Sequence, residues 1–261
     1  MNYKNNSLKK ISLICCTVLL AMRPVIAQTK ITVAVAANMQ YAIKVLIADY
    51  QKTHPIKIDV VLGASGNLTQ QITQGAPYDI FVSADTSFPQ KLSEQGFTTE
   101  SPKVYARGAL VLWTTRPDIT PSQNLQSLLS ANIKSIAIAN PATAPYGSAA
   151  QFILKKYNLY GKIASKLVTG ESITQTSQFI ATGAADIGFT AKSIVLSDAM
   201  KGKGRWIELN IHDYPPIRQA AVLLKYAGKN NYKEAKGFYD FLFSAEAREI
   251  YKKFGYNLPS D

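Results

Sequence analysis

The sequence predicts an α/β protein, with helices flanking mixed or mainly parallel sheets, folded as two lobes. Short β-branched runs such as 30–36 (KITVAVA), 56–62 (IKIDVVL) and 135–139 (SIAIA) alternate with stretches of helical spacing. That alternation belongs to strand-helix-strand units, because parallel strands need a crossover between them. The same design occurs once before Gly108 and again after it. Beyond the N-terminal segment, enough chain is left for two lobes of roughly 100 to 150 residues each.

Residues 1–27 read as a secretory signal. Lys4, Lys9 and Lys10 precede an apolar stretch at 11–21, and Val25-Ile26-Ala27 forms a small-residue cleavage site, so the mature chain is expected to begin at Gln28. The apolar stretch falls short of the ~20 residues that span a bilayer. Cys15 and Cys16, the only cysteines, both lie in it, so the exported chain is expected to rely on its core rather than on disulfides. Cys15 faintly suggests a lipoprotein signal, which the bulky Ile14 before it argues against. The formal charge of +12 falls to +8 when the segment is removed, because Lys4, Lys9, Lys10 and Arg23 leave with no acid. The remaining lysines are dispersed, without the basic blocks and interleaved aromatics of a nucleic-acid surface. Their general effect is a modest attraction of anions.

Taken in order, 30–36 is a strand. Ala37-Asn38 leads into a helix at 39–53, where Ala42, Ile43, Leu46, Ile47 and Tyr50 recur at helical spacing. Pro55 ends that helix, and 56–62 is a second strand running into the turn Gly63-Ala64-Ser65-Gly66-Asn67 and another helix. A third strand at 79–83 precedes a helix at 86–95 that Gly96 stops. The run 103–115 is extended, with Gly108 at a bend where one lobe hands over to the other. A second unit follows: a helix at 125–129, a strand at 135–139, a loop at 140–147 and a helix at 148–157. Then come 164–169, a turn at Gly170-Glu171-Ser172, a helix at 173–182 capped by Ser172, and a strand at 185–190. A polar stretch at 206–213 leads to 217–225, a candidate return crossing. Two helices in 230–256 close the chain, and their stripe of Phe238, Tyr239, Phe241, Leu242, Ile250, Tyr251 and Phe254 is expected to pack on the first lobe. The expected lobes are 28–107 with 224–261, and 108–223.

The chemistry on offer is narrow. Two distant histidines, His54 and His212, no cysteine after the signal and no metal-ligand motif argue against a metal centre, and nucleotide fingerprints are absent. Gly63-Ala64-Ser65 begins like the nucleophile elbow of a serine hydrolase, but Asn67 stands where GxSxG requires glycine.

What recurs instead is a strand, a tight turn and a helix N-terminus. The first N–H groups of a helix have no intrahelical acceptor and favour an anion. Asn38, Ser65, Tyr146 and Ile173 each stand at such a turn. One such turn is an ordinary helix start; two lobes facing one cleft would aim several donors at one point.

At these turns the sequence resembles the periplasmic molybdate-binding proteins of ABC transporters. The resemblance is carried in order by ITVAVAANM, GASGNLTQQI with GAPYDIFVSAD, IANPATAPYG, TGESITQTSQFIATGAADIGFTAKS and FYDFLFSAEAREIYKKFGY. It implies the two-lobed periplasmic binding protein fold (type II) and a ligand cleft between lobes. It also implies capture of molybdate, with tungstate beside it, and delivery to a permease in the inner membrane. The implied oxyanion ligands are Asn38 and Ser65, through backbone N–H and side chain, and Tyr146 and Ile173 through backbone N–H. Part of the family has serine and alanine where Asn38 and Tyr146 stand, with a tyrosine hydroxyl from the position of Ala191. Here Tyr146 is expected to bring in the aromatic group. A periplasmic monomer without catalysis or cofactor is expected. The same fold tuned to sulfate or phosphate is the nearest alternative, and a secreted hydrolase using Ser65 the remote one.

A fully deprotonated tetrahedral dianion accepts hydrogen bonds and donates none, so a pocket of neutral donors suits it. Each hydrogen bond to a charged group contributes roughly 1.5 to 3 kcal/mol. Hydrogen phosphate would want a buried acceptor as well. Glu171 is expected to point away from the cleft.

Overall fold

The computed structural model describes residues 30–259. The expected signal segment and its cleavage after Ala27 lie outside the described residues. Two five-stranded sheets organise the chain. In the first, β1 (Lys30–Ala36), β2 (Lys57–Gly63) and β3 (Ile80–Val82) run parallel in the order β2-β1-β3, and β4 (Lys103–Gly108) forms the far edge. The second contains β5 (Leu110–Thr114), β6 (Ile136–Ala139), β7 (Leu167–Gly170), β8 (Ile187–Ala191) and β9 (Arg205–Glu208), in the order β7-β6-β8-β5-β9. There β6 is parallel to β7 and β8, while β5 is antiparallel to β8 and β9. The last strand, β10 (Ile217–Leu223), returns to the first sheet and pairs antiparallel with both β3 and β4.

This topology corrects the expected lobe boundary. The chain crosses at Ala109, beside the expected bend, but it returns within residues 209–216 rather than after 223. β10 is a near-continuous apolar run, buried except at Arg218, and such a strand belongs in the middle of a sheet covered on both faces. The polar stretch at 206–213 hid β9, an edge strand with only Trp206 and Ile207 between charged neighbours.

Period-two alternation sends neighbouring strand residues to opposite faces. Ile31, Val33 and Val35 pack with Ile43 and Leu46 of α1 (Ala42–Tyr50) and with the C-terminal helices, whereas Ala34 faces Leu68 of α2 (Ser65–Thr73) and Leu92 of α3 (Ser87–Glu94). In the second sheet Leu110 and Leu112 pack with Ile153 of α4 (Pro145–Lys156), and Val111 and Trp113 with Ile180 of α5 (Ile173–Ala181). The short α6 (Lys192–Val195) follows β8. A short α7 (Lys225–Asn230) precedes the two helices expected within 230–256, which are present as α8 (Tyr232–Phe241) and α9 (Ala245–Lys253). Their aromatic stripe does pack on the first sheet, through Phe238, Tyr239 and Tyr251. Burying each such side chain contributes about 1.5–3 kcal/mol.

Candidate functional site

Each sheet directs two adjacent parallel strands at the cleft. β1 and β2 end side by side, Ala36 paired with Gly63, and β6 and β7 end side by side, Ala139 paired with Gly170. Each of the four strands runs into a helical start. β1 leads into a 3-10 turn at Ala37–Met39, β2 into α2, β6 through a short loop into α4, and β7 into α5. Asn38 is the second residue of its turn, Ser65 and Ile173 open α2 and α5, and Tyr146 is the second residue of α4.

The expected start of α4 at Ser148 is therefore one turn late. Pro145 occupies the first helical position, where its missing N–H goes unnoticed, and this places the Tyr146 N–H in the first turn. None of the four backbone N–H groups has an acceptor among the described residues.

All four residues line one cavity of about 10 Å³, together with Ala36, Ala37, Gly63, Ala64, Ala84, Ala144 and Pro145. Pockets for organic ligands run to about 300–1,000 Å³, so this one suits a small ion. No charged side chain lines it, and Asn38, Ser65, Tyr146 and Ile173 are all buried. Any positive potential there comes from helix N-termini. Glu171 is exposed, with its backbone N–H bound to the Gln175 side chain at 2.7 Å.

The hydroxyls are set up as donors. Ser65 Oγ accepts the Ala84 N–H at 3.0 Å, which leaves its own hydrogen for another group. Burial raises the pKa of Tyr146 well above its ordinary value, so the phenol keeps its proton. Its hydroxyl, however, lies 3.0 Å from Nε2 of Gln219 on β10. Gln219 is fully buried, and its Oε1 contacts Asn38 Nδ2 at 2.9 Å and the Tyr105 hydroxyl at 2.7 Å. Asn38 Nδ2 also meets the Tyr256 hydroxyl at 3.0 Å, so the expected side-chain donor at Asn38 is held by protein groups as placed. Asn38 Oδ1 is buried without a partner.

Sequence reasoning missed Gln219, Tyr105 and Tyr256. A signal for Gln219 did exist, since it is a polar residue joined directly to the apolar run Ala220–Leu223.

The lobes are closed on each other. Thr174 Oγ1 donates to the Ala37 carbonyl at 3.3 Å and Ser193 Oγ to the Asn38 carbonyl at 2.9 Å, both from the second lobe to the first. The hydrolase alternative finds no base here. His54 stacks on Tyr50 at 4.0 Å between ring centroids, and His212 sits in the crossing loop; neither lines the cavity. Asp85 lies just beyond Ala84, but its carboxylate accepts from Ser83, Ser87 and the Phe88 N–H within its own turn. Among the described residues no group of side chains suits a metal cation.

Residues 31–257 match the family described as bacterial extracellular solute-binding protein. The chain is 39% identical over 231 residues to the molybdate-binding protein of Azotobacter vinelandii, covering 88% of this chain and 90% of that protein. It is equally identical, over the same length, to that of Rhodobacter capsulatus, covering 89% of it. The solved periplasmic molybdate-binding protein of Azotobacter vinelandii superimposes with a TM-score of 0.83 at 33% identity, over 88% of this chain and 100% of that one. With two mixed sheets, a shared cleft and this degree of identity along nearly its whole described length, the chain belongs to the bacterial extracellular solute-binding proteins, in the group of the molybdate-binding proteins.

Proposed function

We propose that this protein captures molybdate between its lobes in the periplasm and delivers it to an ABC permease. One observation carries the reading: four helical starts, two from each lobe, meet on one small cavity with no charged side chain. The anion's partners are the backbone N–H groups of Asn38, Ser65, Tyr146 and Ile173, with the Ser65 hydroxyl and the Asn38 amide beside them. The anion is cargo, no cofactor takes part, and the protein turns over no substrate. Tungstate, which has the same charge and nearly the same shape, binds as well. Sulfate is smaller and cannot reach all the donors at once, and buried donors left unpaired are costly.

A melting-temperature panel tests this. A ligand that binds only the folded state raises the transition by mass action. Molybdate and tungstate are expected to raise it, and sulfate and phosphate to leave it nearly unmoved. Stabilisation by sulfate or phosphate alone would assign the site to another oxyanion. Ester hydrolysis lost on Ser65→Ala would make the protein an enzyme. The second reading, a protonated oxyanion such as hydrogen phosphate, draws on the unpaired Asn38 Oδ1, which could accept its proton.

A further inference from the structure

Gln219 stands where the return strand meets both halves of the site. Its amide touches Asn38 from the first lobe, Tyr146 from the second and Tyr105 on the outgoing strand β4. Such a network permits two arrangements, because a half-turn of a terminal amide exchanges its oxygen and nitrogen without moving another atom.

Counting hydrogens distinguishes them. With Gln219 Oε1 toward Tyr105, the one hydroxyl proton of Tyr105 faces two acceptors, that oxygen at 2.7 Å and the Ser83 carbonyl at 3.1 Å. Both hydrogens of Asn38 then point at Gln219 and Tyr256, and Asn38 Oδ1 has no donor. A buried acceptor without a partner is costly. Turning both amides together gives each contact among these four side chains one hydrogen, moves the Tyr256 proton from the Asn38 carbonyl to Asn38 Oδ1, and leaves the two hydrogens of the Asn38 NH2 for an anion to accept. Gln219 Nε2 donates to the Tyr105 hydroxyl and to Asn38 Oδ1, and Tyr105 donates to Ser83. The Tyr256 hydroxyl donates to Asn38 Oδ1, while Ser193 keeps the Asn38 carbonyl satisfied. The Tyr146 hydroxyl donates to Gln219 Oε1. The NH2 of Asn38 then takes the place of the unpaired oxygen, on the side away from Gln219 and Tyr256, in a residue that lines the cavity.

We infer that Gln219 is a positioning residue that sets the polarity of Asn38, holding the Asn38 NH2 as a donor toward the bound oxyanion by occupying its carbonyl oxygen. This deepens the molybdate reading and rests on it for the identity of the anion. The hinge strand thereby takes part in selecting a fully deprotonated anion over a protonated one, since the opposite arrangement offers an acceptor.

Neutron diffraction on the deuterated wild-type protein, crystallised without anion, tests the arrangement directly and needs no ligand. Deuterons on Gln219 directed at Tyr105 and Asn38 are expected. Deuterons on Asn38 directed at Gln219 and Tyr256 would overturn the inference. The functional half is a double-mutant cycle read by molybdate titration. Gln219→Leu is expected to weaken binding ten- to hundredfold, the loss of one hydrogen bond to an anion, and to have almost no further effect once Asn38→Ala is present. An equal loss in both backgrounds would mean that Gln219 acts only on hinge structure. Should the wild type itself ignore molybdate, the ligand assignment fails while the deuteron positions still decide the polarity of Asn38.

Discussion

The N–H of Gly66, in the first turn of α2 in one lobe, donates to the carbonyl oxygen of Thr143 in the other at 2.9 Å. A Cβ at Gly66 would lie 2.9 Å from Thr143 Cα and 3.0 Å from Phe88 Cζ. The backbones of the two lobes thus meet as closely as a residue without a side chain allows, one residue from Ser65. Gly66→Ala is expected to hold the lobes apart and weaken molybdate binding about tenfold, or ~1.4 kcal/mol. The anion-free protein should melt no lower, because alanine in a helix is favoured over glycine by roughly 0.5–1 kcal/mol. Affinity and stability move in opposite directions, and titration calorimetry beside a thermal melt reads both. Unchanged affinity would show that closure does not pass through this contact.

Ser65→Ala removes two things at once. The Ala84 N–H loses its acceptor inside the protein, which costs about 1–3 kcal/mol of stability, and the anion loses a hydroxyl donor. Affinity is expected to fall ten- to hundredfold, with a lower melting temperature before any anion is added. A stability loss with full affinity would leave the hydroxyl as a structural tie between α2 and the turn after β3.

Tyr146→Phe separates the two jobs of that residue. Its backbone N–H stays in the first turn of α4, whereas its hydroxyl belongs to the Gln219 network. Molybdate affinity is expected to change by less than about threefold, while stability falls by about 1 kcal/mol through one broken buried hydrogen bond. A hundredfold loss of affinity would place the hydroxyl on the anion. Gly108 explains how this ring reaches the hinge, since a Cβ there would overlap the Tyr146 hydroxyl and come 2.5 Å from Gln219 Nε2.

What could be read from the sequence was what local pattern controls. KITVAVA and SIAIA became strands because β-branched alternation has few other outcomes, and the four turns that follow a strand were found because a strand, a small residue and a helix start are contiguous in the chain. Their convergence was a matter of topology. β1 lies beside β2 and β6 beside β7, and no local signal fixes which strand becomes a neighbour. Gln219 and Tyr256 escaped notice because they reach Asn38 from 181 and 218 residues away, and Tyr105 because it joins through Gln219, 114 residues on; sequence spacing carries no information at such distances. β10 was assigned to the wrong lobe for the same reason, as its apolar pattern identifies a buried strand without naming its sheet.

Acid should unfold the protein through Asp186, a buried carboxylate at the start of β8. Burial raises its pKa, but the Arg116 guanidinium at 2.7 Å and the N–H groups of Lys134 and Ser135 at 2.6 and 3.0 Å outweigh that and hold it below the usual value. A carboxylate with a lowered folded-state pKa stabilises fully above its unfolded pKa of about 3.9, and that contribution is lost as pH falls through the folded value. Asp79 has the opposite sign. Desolvation, only partly offset by the Thr32 N–H at 2.7 Å and the Asn231 side chain, raises its pKa, so its opposition to folding grows as pH rises from the unfolded pKa of about 3.9 to the raised folded value and is constant above it. Asp186→Asn should therefore destabilise the protein by about 2–3 kcal/mol at pH 7, with the deficit shrinking below about pH 4. Asp79→Asn should gain on the wild type as pH rises from about 4 to 7. Urea denaturation of the three proteins across this range checks both slopes. Parallel curves for Asp186→Asn and the wild type would mean that the Arg116 pair adds no pH-dependent stability.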